Sequence, residues 1–133
     1  MSLTTDQRAT FAAVADVLIP GAGTQPSATA AGVPERLDWA LTHRPDLASP
    51  LADALDRCAA AGDLESALDA LAADEPHLLE ALTVLTAGAY LTTPAGLAGR
   101  PYAAAPRNVT DEIDSYVDLL EVVAERDFEI RGV

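Results

Sequence analysis

Proline falls at the edges of helix-forming runs in this chain, and that placement cuts the sequence into short helices. Proline locks φ and carries no N–H, so it is tolerated in a first turn and breaks a helix interior. Pro20, Pro34, Pro45, Pro50, Pro76 and Pro94 each stand beside a run rich in Ala and Leu. Those two residues, 28 and 18 in number among 133, are strong helix formers. No run of β-branched residues competes with them. The expectation is an all-α protein: a compact bundle of five to six helices with two Pro/Gly-rich loops, in a single helical domain over 1–133.

The apolar spacing fills in the elements. Thr4 with Gln7 three residues later is a capping-box pattern, and Phe11, Val14, Ala15 and Leu18 follow at helical spacing. Pro20 and Gly21 stop that helix, and residues 20–33 read as an ordered loop. A second helix opens at Pro34 with Leu37, Ala40 and Leu41 inward, and ends at Pro45. Ser49 is expected to cap a third helix with Pro50 at its first position and a stripe of Leu51, Ala54, Leu55 and Cys58. Gly62 ends it, and Asp63 caps a fourth helix through Leu64, Ala67, Leu68 and Leu71. A fifth helix runs from Glu75-Pro76 to about Leu91, apolar on nearly every face, and so is expected at the centre. Residues 92–109 read as a long loop with one turn at Thr93-Pro94. Thr110 caps a last helix with Ile113, Tyr116, Val117, Leu120, Val123 and Ala124 on one face.

Charge excludes whole classes of function. The chain has 21 acidic and 8 basic residues, a net charge of −13, and every base is Arg. Such a surface repels phosphate backbones and anionic lipid, so neither nucleic acid nor a membrane surface is the expected partner. No apolar run approaches the ~20 residues of a membrane helix. The first residues carry neither a basic nor an apolar signal-peptide region, and the expected compartment is the cytoplasm.

Catalytic patterns are scarce. Cys58 is the one cysteine, it lies on an apolar stripe, and it reads as a small core hydrophobe. His43 and His77 stand apart near helix ends, and no Glu has a His three residues on, as a carboxylate-bridged bundle site requires. Gly21-Ala22-Gly23 follows a helix, so as a phosphate cradle it faces the wrong helix end. Asp114-Ser115 has the residues of a phosphopantetheine site, but only 18 residues follow the serine, too few to enclose an acyl chain. The expectation is no catalytic, cofactor-binding or metal-binding residue in this chain.

The acids are also unevenly spread. None lies between Val17 and Pro34 or between Ala81 and Thr110, whereas residues 41–80 carry nine. Interface cores are depleted in charge and enriched in Tyr and Arg. The two acid-free stretches either cover the ends of the bundle or form a surface that docks on a partner. For the second reading the candidate residues are Ile19, Pro20, Gly21, Tyr90, Arg100, Pro101, Tyr102 and Arg107.

The segment FAAVADVLIPGAGTQPSATAAGVPERLDWAL, Phe11 to Leu41, resembles the gluconate 2-dehydrogenase subunit 3 family. Asp16, Ile19, Pro20, Gly21, Ser27, Ala28, Gly32, Val33 and Asp38 fill the pattern of an apolar helix ending in Asp-x-x-Ile-Pro, a small-residue loop, and a helix carrying an Asp. The stretches LTAGAYLTTPAGLAGRPY and DSYVDLLEVVAERDFEIR are similar to the family's aromatic-containing helix and loop and to its closing helix. Two departures stand out: the twin-arginine signal of many members is absent, and a Gly-Tyr-Pro-Gly type motif is replaced by Gly96 to Tyr102, GLAGRPY. The resemblance implies a non-catalytic small subunit bound to a large flavoprotein dehydrogenase of the glucose-methanol-choline type, with FAD in that partner and no cofactor here. By its own chemistry Asp16 is expected to cap or brace the loop at Ile19-Pro20-Gly21 through backbone N–H groups. The alternative is a free-standing helical module that binds a small apolar ligand between helices; a stand-alone enzyme ranks below both.

Overall fold

The computed structural model describes residues 2–98 and 120–121. The chain divides into two compact units, Met1–Ala103 and Ala104–Val133. Of the second unit only Leu120 and Glu121 are described, both helical, so the expected last helix lies otherwise outside the described residues. The single-domain reading over 1–133 likewise runs beyond them.

The first unit is all-α: α1 (Thr5–Leu18), α2 (Val33–His43), a 3₁₀ turn (Pro45–Leu47), α3 (Ala48–Ala60), α4 (Leu64–Asp74), α5 (Pro76–Leu91) and α6 (Pro94–Ala98). Caps set most of the boundaries. The Thr4 hydroxyl accepts from the Gln7 N–H at 3.1 Å, and the Gln7 side chain accepts from the Thr4 N–H at 3.0 Å, which completes the box. Asp63 accepts from the Ser66 N–H at 2.9 Å and starts α4. Pro34 and Pro76 lie in first turns, where helix N–H groups have no partner anyway.

Two boundaries differ from the sequence reading. Ser49 does not cap α3, because the 3₁₀ turn at Pro45–Leu47 already sets helical backbone and α3 follows directly from Ala48. Pro50 then falls inside the first turn, where its missing N–H breaks no helical bond. Residues 94–98, expected in the long loop, form α6, a helix too short to show an apolar period.

α5 is the axis of the unit, packing against α1, α2, α3, α4 and α6. Its buried residues are Leu78, Ala81, Leu82, Leu85, Thr86, Ala89 and Tyr90. The α1 stripe supplies Phe11, Val14 and Ala15, α2 supplies Leu37 and Ala40, and α3 supplies Leu51, Ala54, Leu55 and Cys58. Each fully buried Leu or Phe contributes about 1.5–3 kcal/mol of transfer free energy, so these few large residues carry the core while alanines let the helices approach. None of the described helices is long and apolar enough to cross a membrane.

Candidate functional site

The two acid-free stretches meet at one end of the bundle. α1 stops at Ile19, whose N–H still reaches the Ala15 carbonyl at 2.8 Å, because Pro20 cannot continue the ladder. Gly21 then turns the chain at φ +81, and a Cβ there would lie 2.7 Å from the Ser27 nitrogen, so only glycine fits. Ala22 and Gln25 exchange two backbone bonds, of 3.0 and 2.9 Å. The Ala28 N–H returns to the Ile19 carbonyl at 2.9 Å, and the Val33 N–H reaches the Ala28 carbonyl at 3.0 Å, which delivers the chain into α2. Asp16 braces this loop by accepting from the Thr29 N–H at 2.7 Å. The Thr29 hydroxyl, then the Thr29 N–H, then Ser27 hold the Asp16 carboxyl below the usual carboxylate range, against a small opposing effect of burial.

The second stretch closes onto the first. Tyr90 is only 4% exposed, and its hydroxyl donates to the Pro26 carbonyl at 2.9 Å with Gln25 Oε1 3.2 Å away. One turn later the buried Thr93 hydroxyl donates to the Tyr90 carbonyl at 2.8 Å and accepts from the Gly96 N–H at 3.0 Å. α6 therefore packs hard against the end of α5. A Cβ on Gly96 would collide with the Tyr90 carbonyl oxygen and lie 2.8 Å from the Thr93 hydroxyl.

On the α2 side, Arg36 reaches from the first turn to the Thr92 carbonyl at 3.5 Å. Its guanidinium lies 4.7 Å above the Trp39 ring, and the Trp39 and His43 rings follow at 4.2 Å between centroids. The large exposed hydrophobic residues described in this unit are Trp39, Leu91 and Leu97. Leu91 and Leu97 lie in the α5–α6 segment before and after Thr92, whose carbonyl Arg36 reaches. The result is a rigid, neutral corner with apolar side chains turned outward, on a chain of net charge −13.

The sequence candidates fall into three groups. Ile19, Pro20 and Gly21 lie at the corner: Pro20 is exposed, and Ile19 is half-buried along an open groove of about 170 Å³ shared with Leu18, Thr83, Thr86 and Ala87. Tyr90 is inside, so it builds the surface and is not presented on it. Arg100, Pro101, Tyr102 and Arg107 lie outside the described residues. Arg36, Trp39, Leu91 and Leu97 escaped the sequence reading. The signal available was the chain's lone Trp, three residues after an Arg and off the Leu37–Ala40–Leu41 stripe.

Elsewhere several polar groups are engaged in structure. A cleft of about 390 Å³ is lined by Asp53, Asp56, Arg57, Glu75, His77 and Leu78. There Arg57 pairs with Glu75 at 3.0 Å, and Asp56 accepts from the Gln7 amide at 3.0 Å. His43 Nδ1 lies 2.9 Å from the Trp39 carbonyl. Cys58 is buried among apolar residues, and burial pushes its thiol up, away from the reactive thiolate. Among the described residues no group of three or more His, Cys, Asp or Glu is arranged to hold a metal ion.

Compared with known proteins, residues 5–96 match the family described as Gluconate 2-dehydrogenase subunit 3. No curated protein and no solved structure matches the chain.

Proposed function

Because the chain belongs to the gluconate 2-dehydrogenase subunit 3 family, we propose that it is a non-catalytic small subunit that binds a larger FAD-dependent sugar or alcohol dehydrogenase and stabilises it or helps it mature. The observation that carries this reading is the corner where the two acid-free stretches join through Tyr90 and Pro26. Near it the chain exposes Leu91 and Leu97 along the α5–α6 segment closed by Thr93 and Gly96, and Trp39 beside Arg36, which reaches the Thr92 carbonyl. A surface that is already rigid loses little entropy on docking, and Trp and Arg are the residue types that most often dominate interface energies. Redox chemistry and FAD belong to the partner in this reading.

The alternative, a module that encloses a small apolar ligand, has less support. The apolar groove beside Ile19 is about 170 Å³, below the ~300 Å³ at which ligand pockets usually begin, and the cleft of about 390 Å³ is lined mainly by Asp53, Asp56, Arg57, Glu75 and His77, which does not suit an apolar ligand.

The test is co-expression of the full chain with a candidate flavoprotein subunit, followed by co-purification. A stable heterocomplex is expected, weakened by Leu97→Asp or Tyr102→Asp while the isolated variants stay helical by circular dichroism. A wild-type chain that associates with no flavoprotein contradicts the proposal.

A further inference from the structure

We propose that Arg36, stacked on Trp39, is an anchor for a carboxylate, taking an Asp or Glu side chain of the larger subunit at the centre of the corner; the identity of that partner rests on the function proposed above.

The argument begins with charge pairing. Acids outnumber bases by 21 to 8 in this chain, so an unpaired arginine is unexpected. Arg8 is matched with Asp38 at 2.7 Å, Arg44 with Asp46 at 2.7 Å, and Arg57 with Glu75 at 3.0 Å. Arg36 has no such partner among the described residues. Its sequence neighbour Glu35 turns back toward Gly32, and Asp38, two residues on, is taken by Arg8.

The guanidinium is also short of hydrogen bonds. It offers five N–H groups in a planar fork. The one bond it makes among the described residues is the 3.5 Å contact from Nη2 to the Thr92 carbonyl, at the long limit for such a bond. Among the described residues the buried Nε has no partner. A half-buried charge whose donors are unmet binds an incoming acceptor strongly, because much of its desolvation has already been incurred on folding.

Position and orientation complete the case. The Trp39 face, 4.7 Å away, holds the guanidinium plane in place, and Trp39 in turn rests on His43. With Nε buried, the two Nη groups of a fork held this way are the ones that suit the two oxygens of a carboxylate. Trp39 is 40% exposed, which leaves an apolar shelf beside the charge for the stem or neighbour of the incoming residue. The acidic body around the corner repels carboxylates everywhere else, so an acidic residue that docks here is held in one register.

The experiment uses the full chain in two arms. In the first, the flavoprotein complex is assembled with wild type, Arg36→Ala, Arg36→Lys and the control Arg57→Ala. Arg36→Ala is expected to weaken the complex about ten- to a hundredfold with unchanged helicity. Arg36→Lys should fall between, since a point charge lacks the fork, and Arg57→Ala should bind as wild type. In the second arm, Trp39, the lone Trp, reports on the site by its own fluorescence. The isolated chain is titrated with sodium acetate and with sodium chloride at matched ionic strength. A response to acetate beyond that to chloride, abolished in Arg36→Ala, is expected. A complex that forms normally with Arg36→Ala overturns the anchor and leaves the proposed function standing. No complex with wild type refutes the function, and the acetate titration then decides the anchor alone, identical responses to the two salts overturning it.

Discussion

The acidic flank built from α3 and α4 and the neutral corner where α2, α5 and α6 meet are made from the same chain by different means. On the flank the apolar stripe does the structural work, and the outer face is plain solvated charge: Asp53, Asp56, Glu65, Asp69 and Asp74. At the corner local geometry replaces the stripe. Two glycines that admit no side chain, a buried threonine, a braced carboxylate and a buried tyrosyl hydroxyl fix the path of the backbone. A surface that has to hold water-soluble charge tolerates substitution, whereas a surface that has to hold a shape does not. That contrast is what a docking face on an otherwise repellent molecule requires.

Substitutions break the comparison in a definite order. Leu82→Ala, at the fully buried centre of α5, should cost about 2–5 kcal/mol and unfold flank and corner together in a denaturant titration. Gly96→Ala should cost about 1–3 kcal/mol by overpacking against the Tyr90 carbonyl, and it should disturb partner binding more than its stability loss explains. Tyr90→Phe should cost about 0.5–1.5 kcal/mol by leaving the Pro26 carbonyl short of its donor, with hydrogen exchange rising in residues 22–30 and not in α4. On the flank, Asp53→Asn should stay within about ±0.5 kcal/mol, and an effect as large as that of Tyr90→Phe would erase the distinction.

Acid sharpens the same contrast. The Asp16 carboxyl is held low in the folded chain by Thr29, so its contribution to stability is complete above the unfolded value near 3.8 and is lost as pH falls through the lower folded value. Asp16→Asn should therefore be destabilised relative to wild type at pH 7, and the gap should narrow under denaturation at about pH 3.

Most helix ends were legible in the sequence, and less of the corner. Thr4, Gln7, Asp63 and Pro76 mark their helix ends by chemistry that is local to three or four residues, so reading them needs no tertiary information. The same locality misled at Ser49, where a preceding turn had already started the helix. The acid-free stretches were visible as composition, but their meeting depends on contacts 64 residues apart, from Tyr90 to Pro26. A tyrosine reads as a surface residue until the carbonyl that satisfies its hydroxyl is known. Arg36 was hidden because its neighbours Glu35 and Asp38 make the segment look balanced, and only the fold gives those acids other places to go.

The central claim is that this chain acts by docking its neutral corner on a flavin-bearing dehydrogenase. Hydrogen–deuterium exchange on the full chain, alone and in complex with the flavoprotein subunit, tests it most directly. The account predicts protection concentrated in residues 19–33, α2 and the α5–α6 end, with α4 unchanged. Protection confined to α3 and α4, with the corner exchanging as in the free chain, would contradict it.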